Sequence, residues 1–247
     1  MPALLAMILF FALSLQTVSA KDLIIGTSFS IPPYVIQESN NGIQIDIIRE
    51  AFALVGHNVS IFFASNKRSL DYLLNRKIDG MNNMPPNFEG TYYSDAITNF
   101  TNVAIALKHR NITVNKIEDL SPYRIVAFQN ASKYLGPVFA RFAQDENSNY
   151  LEVVSQQSQT FLLFSRRTDF IVMEKLIFQY YRAHGSQLLG QKATREQVTF
   201  YPLFEPSPRR IGFHDPQLRD QFNAGFRTLE ASGRIKTIIE TYLKPTE

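Results

Sequence analysis

Glu174 is an acidic residue between a predicted strand and a predicted helix. Glu174 lies between an apolar run, Asp169–Met173, and a helical segment rich in Phe and Tyr, Leu176–Ala183. A carboxylate at such a strand end could pair with a ligand cation in a cleft. It could equally cap the helix that follows, because negative charge is stabilising at a helix N-terminus. Both roles are open from the sequence.

A polar turn offers a second possible contact. It follows a predicted strand, Arg124–Phe128, precedes a predicted helix, Lys133–Phe142, and consists of Gln129, Asn130, Ala131 and Ser132. Free backbone N–H groups at a helix start attract anions, so this turn could hold a carboxylate; plain helix capping is the alternative. Two neutral amides, Asn82 and Asn83, follow another predicted strand and suit carbonyl, hydroxyl or amide groups.

Aromatic side chains are plentiful, with 20 Phe and 11 Tyr. Aromatic faces in a cleft stack on planar or cationic groups. We expect most of these rings in the core. Three that flank predicted turns are expected near a ligand site, namely Phe29, Tyr34 and Tyr92.

The sequence carries no pattern typical of a catalytic centre. Its four His residues are isolated, and no H-E-x-x-H, G-x-S-x-G or P-loop motif occurs. The absence of Cys excludes a disulfide framework, a thiolate zinc site and a Cys nucleophile. Hydrophobic residues make up 45% and charged residues 19%, and the net charge is +3, which indicates a globular protein without a nucleic-acid partner. The sequence therefore predicts no enzymatic activity, no metal site and no cofactor.

Strands and helices alternate along the chain in two series, which predicts an α/β fold with parallel strands and crossover helices. We expect two lobes, lobe 1 at 21–107 with 206–247 and lobe 2 at 108–205. The segments Val103–Leu107 and Thr199–His214 are expected to cross between them. A cleft between lobes is where small ligands usually bind, and hinge closure is the expected motion.

Residues 1–20 are predicted to be a secretory signal peptide. They contain no charged side chain, their apolar core, Leu4–Leu15, is shorter than the ~20 residues of a membrane span, and Val18-Ser19-Ala20 is a small-x-small cleavage pattern. A buried N-terminal helix is the alternative, but the run lacks a polar face. Export of a chain without Cys fits a bacterial periplasm.

Six segments, in order along the rest of the chain, carry a family resemblance. They read LIIGTSFSIPPY (23–34), GIQIDIIREAFALVG (42–56), LLNRKIDG (73–80), TVNKIEDLSPYRIVAFQNAS (113–132), RRTDFIVMEKLIFQYY (166–181) and FNAGFRTLEASGRIKTIIETYL (222–243). Together they resemble bacterial extracellular solute-binding proteins of family 3, which include periplasmic binders of polar amino acids. The resemblance implies a type II periplasmic binding protein, with two α/β lobes joined by two hinge strands and a ligand cleft between them.

The chain departs from this family at the ligand. Amino-acid binders of the family usually carry an Arg in a T-P-E-R motif, whose guanidinium suits a bidentate carboxylate. The corresponding segment, 82–95, reads NNMPPNFEGTYYSD and holds no basic residue. The resemblance also implies that Glu174 stands for the acid that pairs with a ligand ammonium. We therefore expect a ligand with a cationic group and a weak dependence on an α-carboxylate.

The function that the resemblance implies is capture of a small polar ligand, an amino acid or an amine-like molecule. A monomeric periplasmic protein would deliver this ligand to the inner-membrane permease of an ABC-type transporter. One alternative is a sensor-type binding protein that signals to a membrane receptor. A second is a prephenate or arogenate dehydratase on the same fold, with Glu174 as general acid.

Overall fold

A computed structural model describes residues 20–145, 149–185, 190 and 195–245. The predicted signal peptide lies outside these residues except for Ala20, and it stays a prediction. In the part of the chain so described, no helix is both long and apolar enough to cross a membrane.

Two five-stranded sheets form the centres of two lobes. The first sheet has the order β2-β1-β3-β12-β4 and contains β1 (Asp22–Thr27), β2 (Asn58–Phe63), β3 (Gly80–Met81), β4 (Tyr92–Tyr93) and β12 (Gly212–Phe213). The second has the order β10-β6-β9-β7-β8 and contains β6 (Asn102–Leu107), β7 (Ile125–Phe128), β8 (Tyr150–Val153), β9 (Phe170–Glu174) and β10 (Val198–Tyr201). In the first sheet, β1 pairs in parallel with β2 and β3, and β12 pairs antiparallel with β3 and β4. In the second sheet, β7 pairs in parallel with β8 and β9, and β6 pairs antiparallel with β9 and β10.

Helices connect and cover these strands. They are α1 (Ile43–Ala53), α2 (Asn66–Leu74), α3 (Ala131–Tyr134), α4 (Gly136–Gln144), α5 (Gln156–Phe164), α6 (Lys175–His184), α7 (Pro216–Ala231) and α8 (Arg234–Leu243), with 3-10 turns at Gln37–Ser39, Lys108–Arg110 and Ile117–Leu120. The single helix predicted over Lys133–Phe142 is thus two helices. They meet where Gly136 adopts a left-handed φ of 88°. The two-lobed α/β prediction is confirmed.

The packing of lobe 1 depends on one close helix contact. Helix α1 buries Ile47, Ile48, Ala51 and Phe52, which recur at helical spacing on one face. Helix α7 crosses this face at Gly225, where a Cβ would lie 2.0 Å from the carbonyl oxygen of Ala51. Only a residue without a side chain permits that approach.

The lobes are joined by a two-stranded antiparallel sheet, β5 (Thr98–Phe100) with β11 (Ser207–Arg209), in which Thr98 faces Arg209. We call this pair the hinge sheet. The predicted first crossing, Val103–Leu107, instead lies inside lobe 2. There β6 is buried at every position because β9 and β10 pair with it on both sides. Residues 102–107 therefore belong to the second sheet, whereas the return crossing does fall within Thr199–His214.

The core continues from one lobe to the other beside the hinge sheet. One apolar cluster includes Phe52 and Phe213 of lobe 1 together with Ile171 and Phe178 of lobe 2. Helix α6 of lobe 2 also packs on the C-terminal helix α8. The two lobes are therefore held in contact on this side of the molecule.

Candidate ligand-binding site

The two predicted amides of lobe 1 are joined in a buried hydrogen-bond network. Gln44 donates through Nε2 to Asn83 Oδ1 (3.0 Å) and to Thr98 Oγ1 (2.9 Å). Its Oε1 accepts from Asn82 Nδ2 and from Asn83 Nδ2, both at 2.9 Å. Asn82 Nδ2 also donates to Thr27 Oγ1 (3.1 Å). The network ties the carboxyl ends of β1 and β3 to the first residue of the hinge sheet.

This network leaves one acceptor unused. Asn82 is buried, and its Oδ1 has no hydrogen-bond partner among the residues described. Gln44, by contrast, uses both hydrogens of its amide and accepts twice at its oxygen. A buried acceptor without a partner costs free energy, so Asn82 can gain from a donor that reaches it.

Glu174 lies where lobe 2 meets the hinge. It ends β9 and is the N-cap of α6, where its carboxylate accepts from the backbone N–H groups of Leu176 (2.7 Å) and Ile177 (3.0 Å). It also accepts from the N–H of Thr101 (3.2 Å), which directly follows the hinge strand β5. Burial raises the pKa of Glu174, although these N–H groups and Tyr34 act against the rise. The helix-capping role is thus present in the structure.

Tyr34 of lobe 1 lies against this carboxylate. Its ring is fully buried and lies 4.5 Å, centroid to centroid, from the ring of Phe100 in the hinge sheet. Burial and the nearby Glu174 carboxylate raise the pKa of its hydroxyl. The hydroxyl makes no hydrogen bond of acceptable geometry within the described part of the chain. Tyr34, one of the three predicted aromatic residues, therefore lies at the junction of the two lobes.

A cation that the sequence analysis missed completes the junction. The guanidinium carbon of Arg209 lies 4.1 Å from the centroid of the Phe100 ring, within cation–π range. Burial lowers the pKa of Arg209, while Tyr34, Glu174 and Tyr134 act in the opposite direction. We call Tyr34, Phe100, Glu174 and Arg209 the junction cluster.

The predicted anion-binding turn is occupied by a carboxylate of the chain itself. Glu152 on β8 accepts from the backbone N–H of Asn130 (2.6 Å) and of Ser132 (2.9 Å), and Tyr150 donates its hydroxyl to the same carboxylate (2.7 Å). Burial raises the pKa of Glu152, but the N–H and hydroxyl donors outweigh it and the pKa is lowered overall. A ligand carboxylate would have to displace Glu152 to use these donors.

None of the contacts described so far joins the remaining predicted residues to the junction cluster, and their ligand role stays a prediction. Of the turn, Gln129 is exposed and Ala131 is buried. Phe29 is 53% exposed, and Tyr92, on the edge strand β4, is 41% exposed. A shallow hollow of about 190 Å³ lies elsewhere on lobe 1, and its lining contains no residue of the junction cluster. Across the described ranges, no group of three or more His, Asp or Glu could hold a metal ion.

Comparison with known proteins agrees with the fold. An ancestral cationic amino acid solute binding protein is 17% identical with a TM-score of 0.68, covering 90% of this chain and 96% of that one. A substrate binding protein of a polar amino acid ABC uptake transporter from Streptococcus thermophilus is 18% identical (TM-score 0.66; 90% and 85% covered). A histidine kinase sensor domain with similarity to periplasmic binding proteins is 14% identical (TM-score 0.62; 90% and 96% covered).

At such identities the likeness establishes a shared type II fold and nothing about the ligand. A search of curated proteins found no match. The sequence model of bacterial extracellular solute-binding proteins, family 3, matches residues 23–245. Because this match spans nearly all of the described residues, the chain belongs to the bacterial extracellular solute-binding proteins of family 3, as its motifs predicted.

Proposed function

We propose that this protein captures a small polar ligand, an amino acid or an amine-like molecule, at the junction between its lobes in the periplasm. The observation that carries the proposal is the convergence of three parts of the fold. Lobe 1 contributes Tyr34, the hinge sheet contributes Phe100 and lobe 2 contributes Glu174. A ligand that touches all three would be held by both lobes at once.

The chemistry of the junction favours a cationic group. Glu174 supplies a carboxylate with only 3% of its surface exposed, and a buried charge needs a partner of opposite sign. The rings of Tyr34 and Phe100 add faces that attract cations. Asn83 is half-buried and belongs to the lobe 1 network, so its amide is a suitable neighbour for a carbonyl or hydroxyl group of the same ligand.

Closure around a ligand is the proposed working cycle. The hinge sheet has only three residues in each strand. Thr98 of β5 bonds to Gln44 of lobe 1, and the N–H of Thr101, which directly follows β5, donates to Glu174 of lobe 2. A short connection of this kind permits rigid lobes to rotate toward each other. Binding is thereby coupled to the closed arrangement, which a membrane partner can recognise.

We propose delivery to an ABC-type transporter as the use of this cycle. Support comes from family membership and from the similarity to the Streptococcus thermophilus binding protein of an uptake transporter. A sensor role is the second candidate, supported by the similarity to a histidine kinase sensor domain. Uptake of labelled ligand by cells with and without this protein separates the two, since only the transporter role makes uptake depend on it.

Binding itself is tested by thermal-shift screening and calorimetry of the purified protein without its predicted signal peptide. The compounds are the twenty standard amino acids, their carboxamides and the corresponding amines. We expect one of these classes to bind and to raise the melting temperature, since a ligand specific for the folded state stabilises it by mass action. Failure of all three classes to bind would refute the proposal.

A further inference from the structure

Arg209 is a partly buried cation in the hinge sheet. Its side chain is partly exposed, yet it forms no hydrogen bond and no ion pair with any residue that the structure describes, and its Nε is shut off from water. The other arginines near the hinge differ. Arg210, its neighbour, donates to the carbonyl oxygen of Ser94 (2.7 Å), and Arg227 forms an ion pair with Asp95 (2.9 Å).

The position of this guanidinium is set mainly by the hinge sheet. Its backbone is held by the hinge sheet, where Arg209 faces Thr98, and its carbonyl oxygen accepts from the N–H of Ile97 (2.9 Å). Its side chain stacks on Phe100, also in the hinge, and lies in the electrostatic reach of Glu174 in lobe 2. A guanidinium held in this way has lost conformational freedom before any ligand arrives.

We propose that Arg209 is the carboxylate-binding residue of this site. It would replace, from the returning hinge strand, the arginine that segment 82–95 lacks. The inference rests on the proposed function, because it concerns the same junction and the same ligand. An unpaired guanidinium presents N–H donors in a planar fork that matches a carboxylate, and such charged pairs are the stronger hydrogen bonds.

The ligand class follows from the pair of opposite charges. Arg209 lies against the ring of Phe100, Glu174 lies against Tyr34, and these two rings contact each other, so the junction offers one site for an anion and one for a cation. A zwitterion with a carboxylate and an ammonium group, such as an α-amino acid, satisfies both. From the sequence we expect ligand affinity to depend only weakly on an α-carboxylate, because segment 82–95 contains no basic residue. Arg209 supplies a basic residue from another part of the chain.

An internal role for Arg209 is the competing explanation. In that case the guanidinium only offsets the charge of the Glu174 carboxylate. Replacing Arg209 would then alter the stability of the fold or the charge of Glu174, and the effect on binding would be the same for ligands with and without a carboxylate. The two explanations differ in one measurable respect. Only a direct contact makes the effect of replacing Arg209 depend on whether the ligand carries a carboxylate.

Calorimetric titration of the purified protein tests this directly. The twenty standard amino acids are titrated first, and the tightest binder is then compared with its own carboxamide, which lacks the anionic charge. We expect Arg209→Gln to weaken the amino acid by about 100-fold, since two charged hydrogen bonds contribute about tenfold or more each. The carboxamide should lose less than about threefold, and Arg209→Lys, which keeps the charge without the fork, should fall in between.

Arg227→Gln is the matched control, because it removes the same charge from an exposed position on α7 and should leave both affinities unchanged. Equal losses for the amino acid and its carboxamide would overturn the inference. If Arg209→Gln does not fold, the same comparison with Arg209→Lys decides: equal weakening of both probes again overturns it. Binding of amines or carboxamides but of no amino acid would overturn the inference and leave the proposed function standing. Failure of all three classes would overturn both.

Discussion

Replacing Glu174 by Gln separates its two roles, helix cap and ligand contact, because each role has its own measurable consequence. The carboxylate accepts from three backbone N–H groups, those of Leu176, Ile177 and Thr101. A Gln side chain can direct its oxygen to the two donors of α6. Its amide hydrogens then point at the third donor, Thr101, which leaves one N–H of the hinge without an acceptor.

The cost of this change to folding is modest. An unsatisfied buried N–H costs about 1–3 kcal/mol, and removal of a buried charge recovers part of that. We expect the free energy of unfolding of Glu174→Gln to fall by about 1–2 kcal/mol, measured by chemical denaturation without ligand. Asp215→Asn is the matched control, since Asp215 also caps a helix, with a hydrogen bond from Gln217 (2.8 Å), but lies outside the junction cluster.

The cost to binding is larger if Glu174 contacts a ligand cation. Truncating one member of a buried charge pair costs about 2–5 kcal/mol, which corresponds to a loss of affinity from about 30-fold to several thousand-fold. Calorimetry on the tightest ligand of the screen measures this loss, and Asp215→Asn should show none. Unchanged affinity of Glu174→Gln alongside reduced stability would refute the ligand role and leave the cap.

The pH dependence gives an independent check on the same residue. Burial raises the pKa of Glu174 above its ordinary 4.5, so the folded protein binds this proton more readily than the unfolded chain does. Lowering the pH from neutrality toward 4.5 therefore stabilises the fold through this group. Affinity for a cation moves the opposite way, because the protonated acid has no charge to offer. Comparing the pH dependence of unfolding free energy and of ligand affinity between wild type and Glu174→Gln isolates the contribution of this carboxyl group. A wild-type affinity that does not fall as the pH is lowered would contradict the ligand role.

Two further predictions concern the scaffold and are measured by chemical denaturation. Gly225→Ala should lower the free energy of unfolding by about 1–3 kcal/mol, because the new Cβ meets the Ala51 carbonyl oxygen at 2.0 Å and helices α1 and α7 must separate; unchanged stability would show that the contact relaxes freely. Asp169→Asn should cost about 2 kcal/mol, less than a fully buried pair, because its partners Arg110 (2.6 Å) and Arg124 (3.1 Å) are partly exposed. The bonds from Arg124 lower the pKa of Asp169 below its ordinary 3.8, so the wild-type advantage over Asn should persist above pH 3.8 and vanish as the pH falls through that lower pKa.

Local signals in the sequence were sufficient for most of the scaffold and for the helix-capping role of Glu174. Helix α6 follows its predicted span closely because a strand end, an acid and an amphipathic segment stand next to each other in the chain. The sequence predicts a crossing at Val103–Leu107 because a short apolar run does not distinguish a central strand of a sheet from a buried connection between lobes. Its pairing partners, β9 and β10, come much later in the sequence.

The roles of Arg209 and Glu152 could not be predicted, because they depend on the pairing of strands that are far apart in the sequence. Arg209 stands in a Ser-Pro-Arg-Arg stretch with no chemical pattern, and only the register of β11 against β5 puts it beside Phe100. Glu152 reaches the turn at Asn130 only because β8 lies parallel to β7. The helix-start donors were visible in the sequence, but the carboxylate that takes them was not.

The location of the junction cluster explains how one small ligand could control two lobes. Thr98 opens hinge strand β5 with a hydrogen bond to the lobe 1 network, and Thr101 follows its end with a hydrogen bond to Glu174 of lobe 2. Phe100 lies between these two contacts and carries Tyr34 and Arg209 against its ring. A ligand bound here would press on the same few residues that set the angle between the lobes. The ligand would then contact the hinge residues themselves rather than residues in the core of either lobe.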